Sequence, residues 1–173
     1  LKLDGHTNIC GTNASGKTTL QRLIPVFYGE FPSRVVPATR DSFEKWYLPR
    51  ESSFIIYEYS RVDGQFCQTV LASSGNGVNY RLIDKAFVLE DYLQAQLTGD
   101  YKPVTMVELG RNLKREGINA TSLLNTSQYR AIIQNDRSQL NQSSNGRELL
   151  AYARQFCLCE NDANLRHIEK LAK

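Results

Sequence analysis

Eight consecutive residues near the start of the chain, Gly11-Thr12-Asn13-Ala14-Ser15-Gly16-Lys17-Thr18, have the types and spacing of a phosphate cradle, G-x-x-x-x-G-K-[ST]. The spacing has a physical cause. The glycines let the backbone curl until successive N–H groups point inward as an anion nest. A helix opening at Lys17 adds its free N–H groups and the positive end of its dipole. With a nucleotide in place, the Lys17 ammonium reaches the β- and γ-phosphates and the Thr18 hydroxyl serves as a Mg²⁺ ligand. The motif therefore points to a nucleotide, without saying what is done with it.

The acids that such a site needs for hydrolysis are hard to find. Phe87-Val88-Leu89-Glu90-Asp91 has apolar residues before an acid pair, which makes Asp91 the first suspect. However, Tyr92, Leu93 and Leu97 continue a helical spacing, so Leu89 to Leu97 reads as a helix rather than as a strand ending in an aspartate. No N-K-x-D run is present, which counts against a GTPase, and no Ser-Gly-Gly signature occurs. A self-sufficient NTPase is therefore not expected. Cys10, Cys67, Cys157 and Cys159 are too few and too irregular for a disulfide framework or a zinc site, and His167 is the imidazole nearest the last pair. This cysteine usage suits a reducing, cytoplasmic compartment.

The elements that must position the loop follow from periodicity. Ile9 and Cys10 are expected to end a short strand running into Gly11. Leu20, Leu23, Ile24 and Phe27 mark the buried stripe of a helix from Lys17 that Gly29 ends. Pro32 and Pro37 are expected to keep the next stretch extended or looped, with a short helical turn at Ser42 to Tyr47 stopped by Pro49. Ser53–Ser60, Gln65–Ala72 and Val78–Ile83 read as three strands joined by turns at Asp63-Gly64 and Gly75-Asn76-Gly77, an antiparallel meander. A helix over Met106–Glu116 closes at Gly117. Ser127–Gln134 reads as a short strand or helix edge, Asn135–Gly146 as a polar loop, and a helix resumes at Arg147. Leu165, Ile168, Leu171 and Ala172 keep a three-and-four spacing to the last residue.

The chain has 173 residues, 41% hydrophobic and 23% charged, with 11 Gly and 5 Pro, which excludes collagen, low-complexity disorder and a disulfide miniprotein. Lys and Arg total 21 against 18 Asp and Glu, a net charge of +3 that permits an anionic partner without demanding one. No apolar run approaches the ~20 residues of a membrane-spanning helix, so no membrane partner is expected. The single methionine is Met106, and a longer gene product is the expectation.

The run Asn8-Ile9-Cys10-Gly11-Thr12-Asn13-Ala14-Ser15-Gly16-Lys17-Thr18-Thr19-Leu20 resembles the opening of SMC-like ATPases, which carry a G-x-N-x-S-G-K core; Gly29-Glu30 is similar to a pair that often follows there. Tyr47-Leu48-Pro49 together with the GKT triplet resembles a family of large bacterial P-loop proteins sharing GKT and YLP motifs. The resemblance implies an α/β fold: a P-loop NTPase of the ABC/SMC type, N-terminal lobe, with an antiparallel meander and a C-terminal helix leading into a coiled coil. The implied division is residues 1–163 as the lobe and 164–173 as the coiled-coil start. It implies ATP and Mg²⁺ as cofactors, held by Gly11, Asn13, Ala14, Ser15, Gly16, Lys17, Thr18 and Thr19. It further implies Gln134 as a catalytic glutamine and, with Thr18, a metal ligand; Gln128 is the alternative. Arg34 and Arg40 stand where that family sometimes has an arginine reaching nucleotide or partner head.

The function implied is an ATP-binding head lobe acting on DNA in chromosome organisation, repair or defence against foreign DNA. A separate C-terminal lobe would complete the site and a second head would pair with it on ATP binding. DNA contact through Lys114 and Arg115 competes with a solvated face, since Glu108 and Glu116 share that helix. Two alternatives stand beside it: a stand-alone P-loop NTPase or small-molecule kinase, and a non-catalytic nucleotide-sensing assembly module.

Overall fold

A computed structural model of the chain describes residues 7–156 apart from positions 40 and 62. Residues 1–6, Arg40, Cys157, Cys159, His167 and the helix expected at 165–173 lie outside the described residues.

The meander forms as its alternation dictates. Strands β1 (Phe54–Ser60), β2 (Phe66–Ser73) and β3 (Val78–Ile83) pair antiparallel in the order β1-β2-β3, with Tyr57 opposite Thr69 and Leu71 opposite Tyr80. Gly64 (φ 80°) closes the first hairpin in the left-handed region that glycine enters without steric cost. Central β2 is buried on both faces from Cys67 to Ala72, the polar Gln68 and Thr69 included, so one strand serves two cores. The far edge of β3 is covered by the segment 119–124, where Tyr80 and Leu124 exchange backbone hydrogen bonds of 2.8 and 2.9 Å.

Alternate residues feed opposite faces. Tyr57, Tyr59, Cys67, Leu71, Tyr80 and Leu82 face the larger core, shared with helices α1 (Lys17–Phe27), α3 (Phe43–Tyr47), α5 (Thr126–Ile133), α6 (Arg137–Gln142) and α7 (Gly146–Phe156). Phe54, Ile56, Val70, Ala72 and Ile83 face the smaller one, closed by α4 (Met106–Arg115) and by Tyr92 and Val104. The architecture is mixed α/β, a three-stranded antiparallel sheet between two helical layers, with a second antiparallel pair, β4 (Leu93–Ala95) and β5 (Tyr101–Pro103).

Four expectations are corrected. Residues 7–10 before the loop are irregular; a strand needs a neighbour's ladder, and among the described residues the sheet strands pair with one another and with the segment 119–124, none with residues 7–10. Leu89–Leu97 is not a helix. A single 3₁₀ turn, Leu89–Tyr92, hands over to β4, because Tyr92 turns inward to donate its hydroxyl to Gln68 Oε1 at 2.6 Å and Gly99 (φ 87°) folds the chain back into β5. The polar stretch after Asn135 contains α6, capped by Asp136 and held by one buried residue, Leu140. Pro32 starts the short helix α2 (Pro32–Val35) rather than an extended run, since the first helical position tolerates its missing N–H. Ser127–Gln134, open between strand and helix, is helix α5, with an Asn125–Gln128 capping box.

Candidate functional site

The loop at Gly11–Lys17 has the backbone that its composition demands. Ser15 N–H donates to Thr12 O at 3.3 Å to form a turn, and Ala14 and Gly16 both adopt left-handed φ, 63° and 84°. Positive φ at alternate positions is what turns neighbouring N–H groups toward one side. For Ala14, whose Cβ disfavours that region, the conformation stores about 1–2 kcal/mol of strain. At Gly11 a Cβ would come within 2.6 Å of Ser15 Oγ, so the tight closure itself asks for glycine.

Lys17 begins α1 and folds back over the loop. Its ammonium donates to Gly11 O and Thr12 O, each at 2.6 Å, and to Ser15 Oγ at 3.2 Å. These partners are neutral oxygens, so the full positive charge remains available to an anion. The helix opens with no side-chain cap and no acidic residue in its first turn, leaving its N-terminal amides and dipole uncompensated. Asn13, Ala14, Ser15, Gly16, Thr18 and Thr19 are all exposed. A concave backbone, an uncapped helix end and a lysine without a counter-ion among the described residues together fit a phosphate group.

Beyond Thr18 an open groove of about 460 Å³ runs along α1, lined by Gln21, Arg22 and Pro25 and, opposite, by Arg34, Val35, Val36 and Pro37. Arg34 is exposed, pairs with Glu30 at 3.3 Å and sits over the Phe31 ring. Glu30 is held below the usual carboxyl range, first by the Phe31 N–H that it accepts.

The other end of α1 is differently built. Gly29 (φ 88°) stops the helix, and the Glu30 and Gly29 N–H groups donate to Pro25 O and Val26 O, the paired pattern of a Schellman cap. Side chains from distant segments then take the remaining carbonyls. Tyr57 donates to Leu23 O at 2.7 Å, Tyr129 to Phe27 O at 2.6 Å, Gln134 Nε2 to Tyr28 O at 3.4 Å and Arg130 Nη1 to Gly29 O at 3.3 Å. Burial pushes the Tyr129 hydroxyl well above its ordinary pKa, so it stays a donor throughout the physiological range.

The structure thus separates residues that the sequence reading had joined. Gln134 is exposed at the C-terminal end of α1, and 11 helical residues at 1.5 Å each put it about 16 Å from the loop. Within this lobe it is not brought to the Thr18 hydroxyl. Its apolar neighbours, Ile132 and Ile133, are the core face of α5 and not a strand leading to the site. Gln128 is occupied in the α5 capping box. Asp91 is ion-paired with Lys85, 2.6 Å from Oδ2, beside Tyr92 on the sheet face away from α1. Lys114 and Arg115 end α4, with Arg115 donating to Asn112; Glu108 is engaged in the Thr105 capping box. Leu48 of the YLP triplet is a core plug, 1% exposed. Among the described residues no group of three His, Cys, Asp or Glu side chains could hold a metal, and no helix is long and apolar enough to cross a membrane.

Tyr57, Tyr129 and Arg130 were invisible to motif reading. The only signal was chemical: tyrosines stand where phenylalanine would fill the same core.

A family model described as Protein of unknown function (DUF3584) matches residues 1–173. No curated protein and no solved structure matches the chain.

Proposed function

The chain belongs to the DUF3584 family, and we propose that this lobe binds ATP as part of an SMC-like ATPase head acting on DNA, with hydrolysis completed by a separate lobe. The observation that carries the reading is the Gly11–Lys17 loop: left-handed Ala14 and Gly16 at the mouth of an uncapped helix, closed over by a lysine that has no anionic partner among the described residues. Gly11, Asn13, Ala14, Ser15, Gly16, Lys17, Thr18 and Thr19 hold the phosphates. Lys17 exchanges its neutral carbonyl partners for phosphate oxygens, a charge-assisted contact of about 1.5–3 kcal/mol. Thr18 offers its hydroxyl to Mg²⁺, which when bound supplies charge neutralisation at the β- and γ-oxygens.

The need for a second lobe is supported by what the acids do. Asp91, the best internal candidate for the metal-holding aspartate, is held by Lys85 on the far side of the sheet, and Gln134 is engaged at the opposite end of α1. Positioning a water and compensating developing charge then fall to residues outside this chain. Pairing of two heads on ATP, continuation of the C-terminus into a coiled coil, and DNA contact through the assembled complex belong to the same reading. The alternative of a non-catalytic nucleotide sensor shares the loop and draws on the same arrangement of the acids. Phosphate release separates the cases. The chain alone should show none above background, and adding the remaining lobe should raise turnover that Lys17→Ala abolishes. Robust turnover by the chain alone, lost in Lys17→Ala, would overturn the two-lobe reading. Binding without turnover in the complete protein would favour the sensor.

A further inference from the structure

We infer that the side chains gripping the C-terminal end of α1, Tyr129 foremost, are positioning residues for the phosphate loop at its other end. This rests on the nucleotide-binding reading above and adds residues that it does not contain.

The argument begins with an asymmetry along one helix. At its N-terminal end, among the described residues, no side chain from outside the loop hydrogen-bonds the first turn of α1: the side-chain bonds of Lys17 stay within Gly11–Ser15, and there is no side-chain cap. At the C-terminal end, donors from β1 and α5 converge on the carbonyls of Leu23, Phe27, Tyr28 and Gly29 across 34 to 106 residues of sequence. The direction of the loop's amides is therefore set from the far end. The lever is long, about 16 Å, so a tilt of about 5° at the grip moves the loop by about 1.4 Å. Displacements of about 1 Å are enough to degrade a preorganised site.

Pro25 lies inside α1 and has no N–H to give Gln21 O, so one rung of the helix's own ladder is missing; Tyr57, bonded to Leu23 O on the loop side of Pro25, supports the helix there. Tyr129 is suited to the remaining task because its two functions are separable. Its ring stacks on Tyr80 with centroids 4.2 Å apart and fills the core, while its hydroxyl alone reaches Phe27 O. Tyr59 provides a matched control. It is another core tyrosine, and its hydroxyl donates to the carbonyl of Phe156 at the end of α7, a helix without the loop.

The test is calorimetric titration of Mg-ATP into wild type, Tyr129→Phe, Tyr59→Phe and Gln134→Ala, each with its melting temperature. Both tyrosine variants keep the ring and lose the contacts of one core hydroxyl, and should lose similar thermal stability. Tyr129→Phe should weaken binding about three- to tenfold, the span expected of one hydrogen bond, while Tyr59→Phe stays within about twofold of wild type. Gln134→Ala removes an exposed contact without touching the core; it should weaken binding by about two- to threefold with the melting temperature unchanged, and it decides the matter if Tyr129→Phe does not fold. Equal affinities for Tyr129→Phe and Tyr59→Phe, or an unaltered Gln134→Ala where Tyr129→Phe is unfolded, overturn the inference. No binding by wild type overturns the nucleotide reading together with it, so the two failures are distinguishable.

Discussion

The two ends of α1 are built on opposite plans. The N-terminal end is exposed, strained at Ala14 and stabilised by contacts within seven residues of sequence. The C-terminal end is capped by its own backbone, buried at Val26, and held by tyrosine, arginine and glutamine side chains from segments far along the chain. Binding sites need groups left unsatisfied until a ligand arrives, whereas stability needs every polar group matched. One helix here keeps the two demands about 16 Å apart. Changes at the open end should therefore cost ligand with little stability, whereas buried changes at the gripped end should cost stability and, through the orientation of the loop, some affinity as well.

The largest effect expected is Tyr129→Ala. It removes a fully buried ring stacked on Tyr80 and should lower unfolding free energy by about 3–5 kcal/mol. A loss below about 1 kcal/mol in denaturant titration would break the claim that the core runs through this end. Next come paired glycine substitutions, both at left-handed φ. Gly29→Ala meets Arg130 Cγ and Gln134 Nε2 at 3.3 Å, whereas Gly16→Ala meets nothing within 4 Å. Each incurs about 1–2 kcal/mol for its backbone conformation, and Gly29→Ala should lose more because the grip must also shift. Equal losses would deny the crowding. A smaller effect concerns acid. Glu30 has a folded pKa depressed below 4.5, chiefly by the Phe31 N–H, so its contribution is present above that value and fades as pH falls through the depressed pKa. Glu30→Gln should flatten the acid limb of the stability profile; an unchanged limb would show that the carboxylate contributes nothing. The smallest is Ala14→Gly. Relief of about 1–2 kcal/mol of left-handed strain is partly offset by about 0.4–1 kcal/mol of added freedom in the unfolded chain, leaving the variant between unchanged and about 1.5 kcal/mol more stable than wild type. A loss, or a larger gain, would mean that the loop conformation is not as described.

The difference between the two ends also decides what could be read from the sequence. The loop was legible because its chemistry is local: Gly11 to Thr18 carry the pattern and the conformation together. The meander was legible for the same reason, with β3 at Val78–Ile83 as expected and the other strands within a residue. The grip was not, since nothing in Tyr57, Tyr129 or Gln134 announces a carbonyl 34 to 106 residues away. Leu89, Leu93 and Leu97 imitated a helical stripe, yet Leu89 and Leu97 are exposed, and Gln68 and Gly99 decided the course of the chain. Helix α6 escaped because one apolar residue, Leu140, makes no period. Gln134 rested on the family resemblance alone; its position just past α5, with Nε2 on Tyr28 O, is a long-range contact that no local pattern carries.

The account turns on whether the loop takes a nucleotide, and calorimetric titration of Mg-ATP into wild type and Lys17→Ala asks this directly. Wild type should bind at one site per chain. Lys17→Ala should bind at least about tenfold more weakly, the loss of one charge-assisted contact, with an unchanged melting curve because the hydrogen bonds of Lys17 among the described residues stay within its own loop. Absence of wild-type binding, or equal affinity in the two proteins, would contradict it.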